Sequence, residues 1–221
     1  LRDPKFSITP DGRLMIVAGG SVYQGTKVLK GRQPRVMFSR DGRKWTDPEK
    51  ILGEGDWLWR VTWHEGRGYG VSYHTKAADW TVTLYATEDG LKYEQVAVLD
   101  VPGRPNETTL RFLENGDLMA LVRREGNEAA GHKRQGAIGV SRAPYREWKW
   151  TDVPHHFGGP NFIELPGGQL WAASRGPGPK TILARLTRDS FQPALTLPSG
   201  GDTSYPGLVW HDGLLWMSYY S

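Results

Sequence analysis

One kind of segment recurs along the chain about every 50 residues, and it limits the possible folds more than any other feature. Each copy reads strand, glycine turn, strand. The five copies are KFSITPDGRLMIVAG (5–19), WRVTWHEGRGYGVSYH (59–74), TLRFLENGDLMALVR (109–123), NFIELPGGQLWAASR (161–175) and YPGLVWHDGLLWMSYY (205–220). Their turn glycines are Gly12, Gly66, Gly116, Gly168 and Gly213, at steps of 54, 50, 52 and 45. Pro-Asp-Gly, Glu-Asn-Gly and His-Asp-Gly are hairpin turns, because Asn and Gly accept positive φ at little cost.

A second hairpin type lies between these copies. Its turn reads Ser/Thr-x-Asp-Gly-x-x-aromatic: Ser39, Asp41, Gly42 and Trp45 in one copy, Thr87, Asp89, Gly90 and Tyr93 in the next. A third copy keeps Ser141 and Trp148 but has Ala143 in place of the acid, and a fourth keeps Thr187, Asp189 and Phe191. An Asp in such a turn accepts backbone N–H groups of its own loop, and the hydroxyl does the same. The aromatic packs back under the hairpin. These turns are therefore read as structural staples on an outer edge.

Two hairpins per period make four antiparallel strands, and four-stranded units repeated radially are propeller blades. The expected fold is an all-β β-propeller in a single domain, 1–221. Five inner and four outer hairpins amount to four and a half blades. A five-bladed ring would lack one outer hairpin and a six-bladed ring three. The start at Leu1 and the end within a strand point to a six-bladed propeller truncated at both ends. Composition agrees with this. Twenty-eight glycines and 15 prolines fit a chain that turns often, and ten tryptophans argue against disorder. The chain has no cysteine, hence no disulfide and no thiolate metal site. No 18-residue apolar run is present to span a membrane. The net charge of +4 is spread along the sequence, which argues against nucleic acid as a partner. His155-His156 lacks a third ligand at metal spacing, so no metal and no cofactor is expected. Oligomeric state is not legible.

The Ser-x-Asp-Gly-x-x-Trp turns, in register between inner hairpins over nearly the whole chain, resemble the Asp-boxes of the sialidase (neuraminidase) superfamily. Three further segments are similar to that family's site motifs. Leu1-Arg2-Asp3-Pro4 resembles the Arg motif at the start of the family's first hairpin, which implies that Arg2, beside Asp3, binds a carboxylate. NETTLRFLENGDLMALVRRE (106–125) resembles the segment that carries the nucleophile's partner carboxylate and a second arginine, implying Glu107 and either Arg123 or Arg124. SGGDTSYPGLVWHDG (199–213) resembles the stretch with the nucleophilic tyrosine, implying Tyr205, preceded by Asp202. A third arginine is expected between these segments, with Arg175 and Arg185 available. The family's acid/base Asp lies between the Arg motif and the first Asp-box. The corresponding GGSVYQGTKVLKGRQPR (19–35), read as a loop, has no Asp or Glu.

Such residues belong together chemically. A planar guanidinium binds a carboxylate bidentately. Sialidases use a tyrosine nucleophile, and a phenol with a pKa near 10 needs an adjacent base. Trp57 or Trp59, beside Arg60 in GDWLWRVTWH, stands where an aromatic can stack on a sugar, and Asn161 opens the fourth inner hairpin as a hydrogen-bonder. The leading function is an exo-sialidase or a close relative acting on an acidic glycan. The alternatives are a non-catalytic glycan-binding or scaffold propeller, or another carbohydrate enzyme (a polysaccharide lyase or neutral-sugar hydrolase) with Tyr205 as a Brønsted acid or base. Secretion or a periplasmic location is implied by the resemblance alone.

Overall fold

The computed structural model describes residues 1–25, 28–75 and 80–221, with Val28 as backbone only. The described residues form eighteen strands and one 3₁₀ turn, Glu128–Ala130. Four sheets are four-stranded and antiparallel, in the orders β1-β2-β3-β4, β5-β6-β7-β8, β12-β11-β10-β9 and β13-β14-β15-β16, and β17-β18 is a two-stranded fifth. These are the blades of a β-propeller. Two compact units divide them, Leu1–Leu99 and Asp100–Ser221.

The first unit holds β1 (Arg2–Ile8), β2 (Leu14–Gln24), β3 (Val28–Ser39), β4 (Glu49–Lys50), β5 (Trp57–His64), β6 (Arg67–His74), β7 (Thr81–Thr87) and β8 (Glu94–Val98). Its core is Met15, Val17, Val36, Phe38, Ile51, Leu58 and Val61, supplied by alternate positions of the facing strands. The segment read as a loop over 19–35 is instead mostly strand. β2 and β3 stay paired as far as Gln24↔Val28 and form an arm longer than the other hairpins of the unit. Gly19 and Gly20, which look like strand breakers, are there for space. A Cβ on Gly19 would lie 2.1 Å from the Trp57 ring, and one on Gly20 would lie 2.6 Å from the Gln33 carbonyl. Thr26 and Lys27 of that segment lie outside the described residues.

The second unit holds β9 (Pro105–Phe112), β10 (Leu118–Arg124), β11 (Gly136–Ser141), β12 (Lys149–Val153), β13 (Gly158–Leu165), β14 (Gln169–Gly176), β15 (Lys180–Leu186), β16 (Phe191–Thr196), β17 (Ser204–His211) and β18 (Leu214–Tyr220). Its core includes Met119, Leu121, Ile138, Phe157, Phe162, Ile182 and Phe191, with the Phe157 and Phe191 rings 4.8 Å apart. Burying one such aromatic contributes about 2–3 kcal/mol, so this cluster carries much of the unit's stability. Trp150 lies flat on Gly139 of the paired strand and stacks on Trp148 at 5.2 Å.

The outer turns close on themselves. Asp41 Oδ1 accepts the N–H groups of Arg43 (2.8 Å) and Lys44 (2.9 Å), and Ser39 Oγ accepts that of Gly42 (2.9 Å). The Trp45 indole donates to the Gly42 carbonyl at 3.3 Å. Asp89 and Thr87 repeat the arrangement on Leu91, Lys92 and Gly90. In the third copy, which lacks the acid, Ser141 Oγ donates to the Glu147 carbonyl and the Trp148 indole to that of Tyr145. Thr187 and Asp189 bond to each other at 2.7 Å.

The first strand of every blade carries a bulge at the same register. Two residues face one on the second strand: Asp3-Pro4 in β1, Trp59-Arg60 in β5, Asn106-Glu107 in β9, Gly159-Pro160 in β13 and Tyr205-Pro206 in β17. A bulge leaves its extra residue unpaired and re-aims the side chains beside it. Proline, which has no N–H to lose, occupies the second bulge position in three of the five.

Candidate active site

In the unit Asp100–Ser221 three of these bulges lie on neighbouring strands, because β13 packs between β9 and β17. Polar groups tie the strands together at this level. Thr109 Oγ1 donates to the Pro160 carbonyl at 2.6 Å, and Asn161 Nδ2 donates to the Pro206 carbonyl at 2.9 Å. The β13 bulge is thus held by β9 and the β17 bulge by β13.

Glu107, from the first bulge, is nearly buried, its side chain 8% exposed. Its Oε1 accepts the Tyr205 hydroxyl at 3.0 Å. Its Oε2 accepts Arg123 Nη1 at 2.9 Å and the Gly159 N–H at 2.8 Å. One carboxylate oxygen is therefore occupied by fixed donors, and the other faces the phenol. Arg123 lies on β10 directly across from the Asn106-Glu107 bulge, which explains the pairing. Tyr205 takes φ 51, and Gly159, with φ 60, has no side chain where one would meet the ring. A Cβ there would lie 2.1 Å from Tyr205 Cδ1. Gly159 both donates to Glu107 and leaves room for the phenol, a double role that no non-glycine residue fills without strain.

A second carboxylate supports the arginine. Glu125 Oε1 accepts Arg123 Nε at 2.6 Å, and its Oε2 lies 3.1 Å from Arg134 Nε and 3.4 Å from His156 Nε2. Burial alone would raise the Glu125 pKa. His156, Arg123 and Arg134 outweigh it and hold the carboxyl well below the usual range. Burial would likewise lower the Arg123 pKa, but Glu107 and Glu125 raise it above its ordinary value.

The side-by-side arginines separate cleanly. Arg123 reaches Glu107. Arg124 is buried, donating to the carbonyls of Gln135 and Gly136 and pairing with Asp152 Oδ1 at 2.6 Å, so it ties β10 to β11 and β12. Arg175 donates to the Thr203 carbonyl at 2.8 Å and pairs with Asp202 at 3.1 Å, while the Tyr220 hydroxyl donates to Asp202 at 2.8 Å. Arg185 is exposed beside the Trp171 ring. Asn161 is buried and accepts from Arg111 Nη2 at 2.8 Å, so it joins strands rather than facing solvent.

The other expected site residues belong to the unit Leu1–Leu99. Arg2 is exposed and pairs with Asp3 at 3.2 Å, with its guanidinium 5.7 Å from the Trp57 ring centre. Trp59 is buried under Lys5, whose Nζ is 4.0 Å from the ring centre, and so presents no face to a sugar. Arg60 is half-buried. Sequence reasoning missed Gly159, Glu125 and His156. The only signal for Gly159 was the Gly-Gly-Pro that opens its hairpin. Among the described residues no group of three or more His, Asp or Glu is placed to hold a metal ion.

No protein-family model and no curated protein matches the sequence. Solved structures do. The endo-arabinase of Bacteroides thetaiotaomicron aligns over 99% of this chain and 88% of its own, with a TM-score of 0.67 and 16% identity. The GH93 α-L-arabinofuranosidase of Fusarium graminearum, solved with arabinobiose, aligns over 98% and 74%, at 0.68 and 15%. The NanB sialidase of Streptococcus pneumoniae aligns over 94% of this chain at 0.63 and 10%, and this chain spans 50% of it. Likeness at these identities establishes a common fold, one used by glycoside hydrolases of differing substrate.

Proposed function

We propose that the chain carries the nucleophilic centre of a retaining glycoside hydrolase of the exo-sialidase type, with Tyr205 as nucleophile and Glu107 as its base. The observation that carries this reading is the 3.0 Å hydrogen bond from the Tyr205 hydroxyl to Glu107 Oε1. It lies within the reach a base needs.

As the phenol oxygen attacks the anomeric carbon, its proton passes to Oε1 while the glycosidic bond breaks toward the leaving oxygen. A tyrosyl-glycoside results, and the aglycone departs with a proton from an acid. Water then attacks the anomeric carbon from the opposite face, losing a proton to the conjugate base of that acid as the bond from this carbon to the phenol oxygen breaks. Glu107 returns its proton to the phenol oxygen, and the sugar is released. Arg123 and the Gly159 N–H hold Oε2 throughout, so the carboxylate need not reorient.

Hydrolysis of 4-methylumbelliferyl sialoside tests this, because an aryl aglycone departs without prior protonation and exposes the nucleophilic step alone. Turnover by the protein that falls about 10²–10⁴-fold in Tyr205→Phe supports the reading. Glycan binding without turnover of this or any aryl furanoside sinks it in favour of a binding module.

One observation favours a second reading, hydrolysis of a neutral sugar with the same pair. Arg123 is already paired with two carboxylates and Arg175 with Asp202, so neither presents an unpaired guanidinium to a substrate carboxylate. Turnover of aryl arabinofuranosides with none of the sialoside would select it.

A further inference from the structure

The β2–β3 arm departs most from the repeat, and a cleft of about 250 Å³ lies against it. The cleft is lined by Gly20, Val22, Gly31, Gln33 and Glu54 together with Lys30, Arg32, Arg35 and Lys50. Four cations thus face one carboxylate. Among the described residues, none of the four forms an ion pair. This contrasts with Arg123, Arg124 and Arg175, each of which is neutralised by an acid.

The two arginines at the base are held in place. Arg32 Nε donates to the Gly55 carbonyl at 2.9 Å, and its guanidinium lies 5.7 Å from the Trp57 ring centre and 5.5 Å from that of Tyr73. Its Nη2 is buried and donates no hydrogen bond among the described residues. Arg35 Nη1 donates to the carbonyls of Gln33 (2.8 Å) and Pro34 (3.3 Å). Its Nη1 would lie 3.3 Å from a Cβ on Gly20, so the glycine leaves the space in which this side chain lies flat. Lys30 and Lys50 are exposed at the rim. Guanidinium groups held by backbone carbonyls, together with exposed ammonium groups, form an anion receptor.

We propose that this cleft binds the anionic substituent of a saccharide, a carboxylate or a sulfate ester. The site does not depend on the Tyr205 chemistry and stands if that reading fails.

Isothermal titration of the whole protein with D-glucuronate, glucose 6-sulfate, glucose and inorganic sulfate tests it. The expected result is salt-sensitive binding of glucuronate or glucose 6-sulfate, with glucose at least about tenfold weaker, the difference one charge-assisted hydrogen bond makes. The tighter of the two charged sugars identifies the substituent. Arg35→Gln should weaken binding about tenfold or more. Lys30→Gln/Lys50→Gln, which touches only exposed side chains and should leave the fold intact, should weaken it severalfold. Tyr205→Phe should leave it unchanged. Three results overturn the proposal: no binding of either charged sugar, equal binding of glucose, or affinity that survives the double lysine substitution unaltered. Inorganic sulfate binding as tightly as the charged sugars overturns the saccharide assignment and leaves a bare oxyanion site.

Discussion

The outer turns and the inner bulges are both repeated around the blades, yet they repeat different things. The outer turns repeat residues. Ser39-Asp41-Gly42 and Thr87-Asp89-Gly90 have equivalent side chains, a hydroxyl and an Asp, making the same bonds. The inner bulges repeat geometry alone. Asp3-Pro4, Trp59-Arg60, Asn106-Glu107, Gly159-Pro160 and Tyr205-Pro206 share a register and almost no chemistry. A motif whose work is to close its own loop needs the same donors and acceptors each time. A position that aims a side chain out of the sheet is free to carry whatever the site requires. Constancy of residue thus marks stability here, and constancy of backbone with varied residues marks where the proposed chemistry would sit.

The sharpest way to break that contrast is at the two bulges that meet. Tyr205→Phe removes one oxygen and leaves the ring seated against Gly159. Aryl-glycoside turnover should fall about 10²–10⁴-fold with little change in unfolding midpoint. Glu107→Gln should lose activity to a similar extent. Equal loss of stability and activity in Tyr205→Phe would make the hydrogen bond a structural one and remove the distinction.

Arg123→Met is next. It leaves the carboxylates of Glu107 and Glu125 without the cation between them, and Glu125 keeps Arg134, His156 and the Asn106 amide. Breaking a buried pair in this way costs about 3–5 kcal/mol, readable in urea unfolding. The acid limb should also change. Glu125 has its pKa lowered in the folded protein, so its contribution is present above the unfolded value of about 4.3 and is lost as pH falls through the lower folded value. Glu125→Gln should therefore reduce stability at neutral pH and flatten the acid limb.

Gly159→Ala tests the backbone side of the contrast. The positive φ alone costs about 1 kcal/mol, and the new methyl group collides with the Tyr205 ring. A displacement of the phenol of about 1 Å can cost on the order of 10²-fold in turnover. The same change at Gly66, a turn glycine with φ 81 and nothing near its Cβ, should cost only the positive-φ strain and no activity.

What the sequence shows follows the same division. Hairpins and outer turns were legible because their signal is local, a glycine or an Asp at a fixed offset within a few residues. Tyr205 and Glu107 were legible only through resemblance. A bulge is a relation between two paired strands and leaves little trace in either one alone. Pro4, Pro160 and Pro206, at the same bulge position, are that trace. Glu125 and His156 lie past the end of β10 and between β12 and β13, outside the repeat, where no period could single them out. The β2–β3 arm was hidden because Gly19 and Gly20 read as breakers, although they sit in a strand whose neighbours need the space.

The outer turns should show the smallest effects, graded by how many backbone donors each acid satisfies. Asp89 accepts two N–H groups, and Asp89→Ala should cost about 1 kcal/mol with turnover unchanged. Asp41→Ala should act in the same direction. For Asp41 the Lys44 and Arg43 N–H groups hold the carboxyl below its ordinary range. For Asp89 burial opposes the shift, and the Lys92 and Leu91 N–H groups overcome it. Both contributions should therefore be lost in acid. Asp189 accepts only the Thr187 hydroxyl among the described residues, so Asp189→Ala should stay within about 0.5 kcal/mol of the parent. A measured order of Asp89 above Asp189, with activity flat across both, ties the repeated acids to their loops; an activity loss at Asp89 without a stability loss would place chemistry in the outer turns and undo the division.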